Sequence, residues 1–131
     1  MPDQLPYVGY LELGSDPHLV AQECTSCGAL FLDRRNACAS CGAAGFTARP
    51  LSGDGTVRAF TIVHRATPDV QVPYISAIVD LDGGGVVKAN LVGIEPEPEQ
   101  VQLGMRVTMT TFGVGTDADG VEAVGFGYRP A

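Results

Sequence analysis

No apolar run in this chain reaches the roughly 18 residues that a membrane-crossing helix needs, so a single helical span is not expected. The first 17 residues, MPDQLPYVGYLELGSDP, lack the basic start and apolar centre of a secretion signal. A cytoplasmic location is the expectation. Basic residues are scarce: eight Lys and Arg stand against fifteen Asp and Glu, for a formal net charge of −7 with histidine neutral. Arg34, Arg35, Arg49, Arg58, Arg65, Lys88, Arg106 and Arg129 are also scattered, and only Arg34 and Arg35 are adjacent. Nucleic-acid binders usually carry a basic stripe that displaces counterions from phosphate, so binding to nucleic acid is not expected. Histidines number two, His18 and His64. There is no Ser, His and Asp set, no two-carboxylate pattern and no glycine-rich phosphate loop in a strand–loop–helix context. A catalyst working alone is therefore not expected.

What is present suits one small globular unit. The 131 residues are 45% hydrophobic and 18% charged, enough for a modest core in one domain, or in one domain with a small module. All four cysteines fall in CTSCGALFLDRRNACASCG, residues 24–42, as two C-x-x-C pairs separated by ten residues. Two disulfides are one reading and a single metal is the other. In a reducing compartment disulfides rarely persist, and paired C-x-x-C turns read as a zinc site. Each turn aims two sulfurs at one point, and Gly28 and Gly42 follow the pairs, where a positive φ brings backbone N–H groups toward sulfur. One structural zinc on Cys24, Cys27, Cys38 and Cys41 is the expectation. Four thiolates leave no open coordination position for catalysis. Redox chemistry is the sharper alternative, but it would want a single motif at a helix start.

Along the chain, residues 1–17 are expected to be irregular because Pro2, Pro6 and Pro17 interrupt regular elements. Residues 18–51 read as a zinc ribbon, with HLVAQE, ALFLD and FTARPL as its strands. From residue 52 the texture changes. TVRAFTIVHRAT, PYISAIVDLD, VVKANLVGI, MRVTMTTFGV and VEAVGFGY are rich in β-branched and aromatic residues and read as five strands. Asp82–Gly83 suggests a hairpin, and EPEPEQVQLG offers a turn or two of helix between the third and fourth strands. That order predicts a mainly β protein, a zinc ribbon followed by a five-stranded OB-fold barrel, with a β-sandwich fragment as the alternative. Ile75, Ala77, Val79 and Leu81 should share one face of their strand, and Tyr74, Ser76, Ile78 and Asp80 the other. Gly125 and Gly127 suggest a bend or close packing.

The cysteine ribbon followed by LSGDGTVRAFTIVHRA, PYISAIVDLDGGG, ANLVG and LGMRV resembles a family of OB-fold proteins with a rubredoxin-like zinc ribbon, long described as a domain of unknown function and associated with acyl-CoA. The resemblance runs from about Cys24 to about Arg129. It implies a non-catalytic accessory subunit that accompanies thiolase-superfamily enzymes, including acetoacetyl-CoA thiolases and the aldolases of sterol side-chain breakdown. Some such relatives are fused to a hotdog-fold hydratase domain; this chain reads as a module on its own. Many members open with an aromatic-rich helix, whereas YVGYLELGSDPHLVAQ is broken by proline and glycine.

Two function classes follow. In the first the chain docks on a CoA-thioester enzyme and contributes apolar wall to its acyl or pantetheine tunnel, the partner holding the nucleotide phosphates. Phe60, His64, Pro73, Tyr74, Asn90 and Leu91 are the candidate positions for the partner or acyl-CoA, and ordinary barrel packing is the competing account of each. His64 is also the one candidate general base in the barrel. The second class is a nucleic-acid module, for which Arg58 and Phe60 on one strand face would offer a small stacking platform. The negative charge favours the first class.

Overall fold

The computed structural model describes residues 3–131. Every regular element in them is a strand, and none is a helix long and apolar enough to cross a membrane. Strand β3 (His18–Cys24) organises the ribbon. It pairs antiparallel with β2 (Leu11–Glu12), β4 (Leu30–Phe31) and β5 (Phe46–Pro50), and it ends at the first cysteine. Its alternation buries Leu19 and Ala21, and Cys24 is buried at its end.

The barrel is built from β6 (Asp54–Val63), β7 (Tyr74–Leu81), β8 (Val86–Leu91), β9 (Arg106–Thr116) and β10 (Glu122–Pro130). Antiparallel pairings run β6 to β7 to β8, and β10 to β9 to β6. The barrel closes where β10 meets β8 in parallel at Tyr128 and Leu91. Ile75, Ala77, Val79 and Leu81 are all buried, as their alternation predicts, and the intervening residues of β7 are half-exposed. The glycines of β10 mark close packing. A Cβ on Gly127 would stand 2.9 Å from the Asn90 carbonyl oxygen, and one on Gly125 would stand 2.8 Å from a Val114 methyl.

Three local expectations change. EPEPEQVQLG forms turns, with Gln100 N donating to the Glu97 carbonyl at 2.9 Å, and no helix; Pro96 and Pro98, alternating with three glutamates, leave too few i→i−4 donors to nucleate one. The N-terminal segment is not irregular throughout. β1 (Gln4–Pro6) lies parallel on β10, Gln4 opposite Glu122, and β2 places Leu11 in the core at 1% exposure. The two strands are short, three and two residues, with β1 ending at Pro6 and β2 lying between Gly9 and Gly14. Finally, a register shift between Val57 and Ala59 separates Arg58 from Phe60. Arg58 turns out to solvent and pairs with Asp80 at 2.7 Å, while Phe60 packs against the core, so the expected stacking platform does not form.

Ribbon and barrel share one core. Leu11, Leu19, Ala21 and Leu51 belong to the same buried cluster as Val57, Ile75, Val79, Val107 and Tyr128. The β7–β8 turn is the seam. Gly83, Gly84 and Gly85 all adopt positive φ, and a Cβ on Gly84 or Gly85 would come within 3.2 Å of Leu30 or Leu51 of the ribbon. Arg49 of β5 spans the seam, donating to the Gly83 carbonyl at 2.7 Å and to Glu23 at 2.8 Å. The GGG run is therefore a docking turn, flat enough for the ribbon to lie on it.

Candidate functional site: the cysteine centre and the outer walls of the barrel

The two C-x-x-C segments fold as near-copies. In the first, Cys24 N donates to the Ala29 carbonyl at 2.9 Å and Gly28 N to the Cys24 carbonyl at 2.9 Å. In the second, Cys38 N donates to the Ala43 carbonyl at 2.7 Å and Gly42 N to the Cys38 carbonyl at 2.8 Å. Gly28 and Gly42 take φ of 79° and 82°, the left-handed conformation that such a turn requires after its second cysteine. The backbone then feeds the sulfurs: Ser40 N donates to Cys38 Sγ at 3.3 Å.

All four sulfurs lie within 4.8 Å of one another. Two approaches of 3.6 Å run between the knuckles, Cys24 to Cys41 and Cys27 to Cys38. Zn–S bonds of about 2.3 Å in a tetrahedron require sulfurs about 3.8 Å apart, so the spacing fits zinc. The electrostatics agree. The N–H groups of Cys27 and Ser26 lower the Cys24 thiol. Burial pushes the Cys38 thiol up, but N–H groups of Cys41 and Ser40 and the neighbouring thiols outweigh it and bring it down to about 6. At Cys41 the Ala43 N–H favours the thiolate, yet the crowding sulfurs of Cys24, Cys27 and Cys38, with burial, hold it up to about 12. Thiolates this close repel, and a dication at their centre removes the conflict. One zinc ion fits the set and would have its coordination closed, so the centre holds the fold and has no position for substrate. Cys24 and Cys38 are buried, and Cys27 and Cys41 face solvent.

The six candidate partner positions divide. Val63 of β6 pairs with Tyr74 of β7, so His64 and Pro73, both exposed, stand just beyond that paired end. Tyr74 is half-buried there, and Phe60 lies further along β6, partly buried against the core. Asn90 is exposed on β8 opposite Ser76. Leu91 does not belong with them. It is buried at 5% exposure, packs in the core and pairs with Tyr128 across the barrel closure. Adjacent strand residues point to opposite faces, so Asn90 and Leu91 could not both face a partner. The sequence reading missed Val70 and Val72, exposed apolar residues in the loop between β6 and β7. Their signal is an apolar residue on each side of a polar one in a loop whose backbone has no strand to join.

Comparison with known proteins adds the family. Residues 11–47 match the model described as ChsH2, rubredoxin-like zinc ribbon domain, and residues 48–112 match ChsH2, C-terminal OB-fold domain. A DUF35 domain-containing scaffold protein of Methanocaldococcus jannaschii is 32% identical over 86% of this chain and 81% of its own length. A probable enoyl-CoA hydratase alpha subunit of Thermomonospora curvata is 30% identical over 76% of this chain but only 31% of its own length, so the likeness covers one part of that larger protein. The solved structure of the Ltp2-ChsH2(DUF35) aldolase contains a chain similar to this one at a TM-score of 0.65 and 28% identity, covering 86% of this chain and 84% of that one. With zinc ribbon and OB fold matched in order and identity sustained over most of both sequences, this chain belongs to the DUF35 family of ribbon-and-barrel proteins.

Proposed function

We propose that this protein is a non-catalytic accessory subunit of a thiolase-superfamily acyl-CoA enzyme, a thiolase or a retro-aldolase such as those of steroid side-chain degradation, and that it helps form or stabilise that enzyme's acyl-CoA site. The observation that carries this is the near full-length likeness to the ChsH2(DUF35) component of an aldolase complex, together with relatives described as scaffold proteins. The chemistry of the chain supports it. Its one cluster of reactive side chains, among the described residues, is the closed cysteine set, and His64 sits exposed beyond the end of a strand rather than in a cleft. The exposed end of β6 and β7, with His64, Val70, Val72, Pro73 and Tyr74, supplies an apolar contact for the partner or the acyl chain. The barrel is acidic, so the partner holds the CoA phosphates.

The test is co-expression with a thiolase-like enzyme from the same genome, followed by co-purification. A stable complex is expected, and a Val70→Glu, Val72→Glu double variant should weaken it. If the two never co-purify and the enzyme is soluble and active alone, the proposal fails. If this chain alone turns over a CoA ester and His64→Ala stops it, the non-catalytic assignment is wrong.

A further inference from the structure

A second exposed apolar strip lies away from the β6–β7 loop and shares no residue with it. Phe112 and Val114 of β9 are 40% and 50% exposed, and Leu5 and Tyr7, on and just after β1, are 49% and 66% exposed. They are brought together by β10, which carries β1 on one side and β9 on the other. Phe112 and Val114 lie over the bare backbone of Gly125. Leu5, Tyr7, Val114, Val121 and Ala123 line one shallow hollow of about 350 Å³. Half of the exposed large hydrophobic residues of the described structure thus fall on one small three-stranded extension.

The backbone here is open as well. β9 pairs with β6 only through Arg106, Val107 and Thr108, and from Thr110 to Thr116 it pairs with β10 alone. A long edge strand with exposed apolar side chains and no lysine or proline is a template for another chain, and native proteins usually blunt or cover such an edge. The rim decides what fits. Asp117 lines the hollow, Asp3 and Asp119 flank the strip in sequence, and residues 3–7 and 110–123 carry no Lys or Arg. A second copy would bring like charges together around the strip, which disfavours self-association.

We propose that this strip is a docking surface for a different protein, one that presents an apolar patch rimmed with Arg or Lys. Resting on the accessory-subunit reading, that protein is the thiolase-like enzyme, and the acidic rim both steers it in and keeps copies of this chain apart. Burial of Tyr7 and Phe112 at the centre of the contact supplies aromatic anchors, and the β9 edge supplies backbone donors and acceptors to the partner.

The experiment uses the full chain with zinc retained and the co-expressed thiolase-like enzyme. Tyr7→Glu and Val114→Glu should each weaken the complex about tenfold or more. Both side chains are at least half-exposed, so the fold and zinc content should be unchanged. Val86→Glu, exposed on β8 outside the strip, should change affinity less than about twofold. Asp3→Lys with Asp119→Lys should slow association several-fold at low salt, the difference fading as salt screens the rim. Backbone amides of residues 110–116 should gain hydrogen-exchange protection in the complex. If the wild-type complex forms and both glutamate variants bind as tightly, with no protection on β9, the strip is not the surface and this inference alone falls. If no complex forms at all, the accessory-subunit reading falls and takes the inference with it. If wild-type chain dimerises and Val114→Glu makes it monomeric, the occupant is a second copy and the inference is wrong.

Discussion

Removing zinc from the ribbon should destabilise the barrel too, because the two share a core. The cleanest perturbation is the double variant Cys27→Ser, Cys41→Ser, which breaks the metal set through its two solvent-facing sulfurs and leaves the buried Cys24 and Cys38 in place. Without the ion the knuckles have no reason to converge, and β3 and the segment before it lose their anchor. Leu11 and Leu19 are each 1% exposed in the shared cluster. Full burial of a leucine side chain is worth about 1.5–3 kcal/mol, so losing both costs the barrel about 3–6 kcal/mol, with Ala21 adding less. A domain of this size has on the order of 7–20 kcal/mol of stability in total. At about 4 °C per kcal/mol, the β-sheet circular dichroism should melt roughly 10–25 °C lower in the metal-free variant. The zinc-loaded wild type should show one cooperative transition. The reasoning is refuted if the metal-free variant keeps the wild-type barrel midpoint, or if the wild type melts in two steps of which only the first responds to metal.

Three further outcomes are expected. Gly55→Ala should cost about 1–3 kcal/mol or more by overpacking, since its Cβ would press into the Asp80 carbonyl and a Val79 methyl 2.9 Å away, whereas Gly53→Ala, whose Cβ would meet only a Met109 carbon at 4.0 Å, should be mild; paired urea melts check this. Asp82 is held below the usual carboxylate range by its two-pronged hydrogen bond from Arg106, at 2.8 and 2.6 Å, so its contribution is present above the unfolded value of about pH 4 and lost as pH falls below it; Asp82→Asn should flatten that acid limb in a stability–pH series and leave the neutral region's slope unchanged. Mobility shifts at low salt, where electrostatic binding is strongest, should show no submicromolar binding to single- or double-stranded nucleic acid.

Much of this was legible in the residues. The doubled C-x-x-C spacing placed the metal set because its information is local: two turns, two glycines, four sulfurs. The alternation of Ile75, Ala77, Val79 and Leu81 gave the inner face of β7 for the same reason. The parity of Val87, Ala89 and Leu91 carries Leu91 inward too. Other features depend on contacts far apart in the chain. β1 is three residues long and exists because residues 122–124 offer it a parallel edge; nothing within QLP declares that. The bulge that parts Arg58 from Phe60 is set by register against β7, where eight pairings must fit ten residues of β6. The joined core is hidden in the sequence because the texture changes at residue 52, while the residues that close the seam, Leu11, Leu51 and the GGG turn, lie on both sides of that change.

The central claim is that the chain completes another enzyme rather than acting alone, and its most direct test is a titration of activity. A thiolase-like enzyme from the same genome is assayed for CoA-ester cleavage at fixed concentration while this protein is added with zinc bound. The account predicts that activity rises with added chain and saturates at a fixed stoichiometry, and that the chain alone gives none. Full activity of the enzyme without it, unchanged by its addition, would contradict the account.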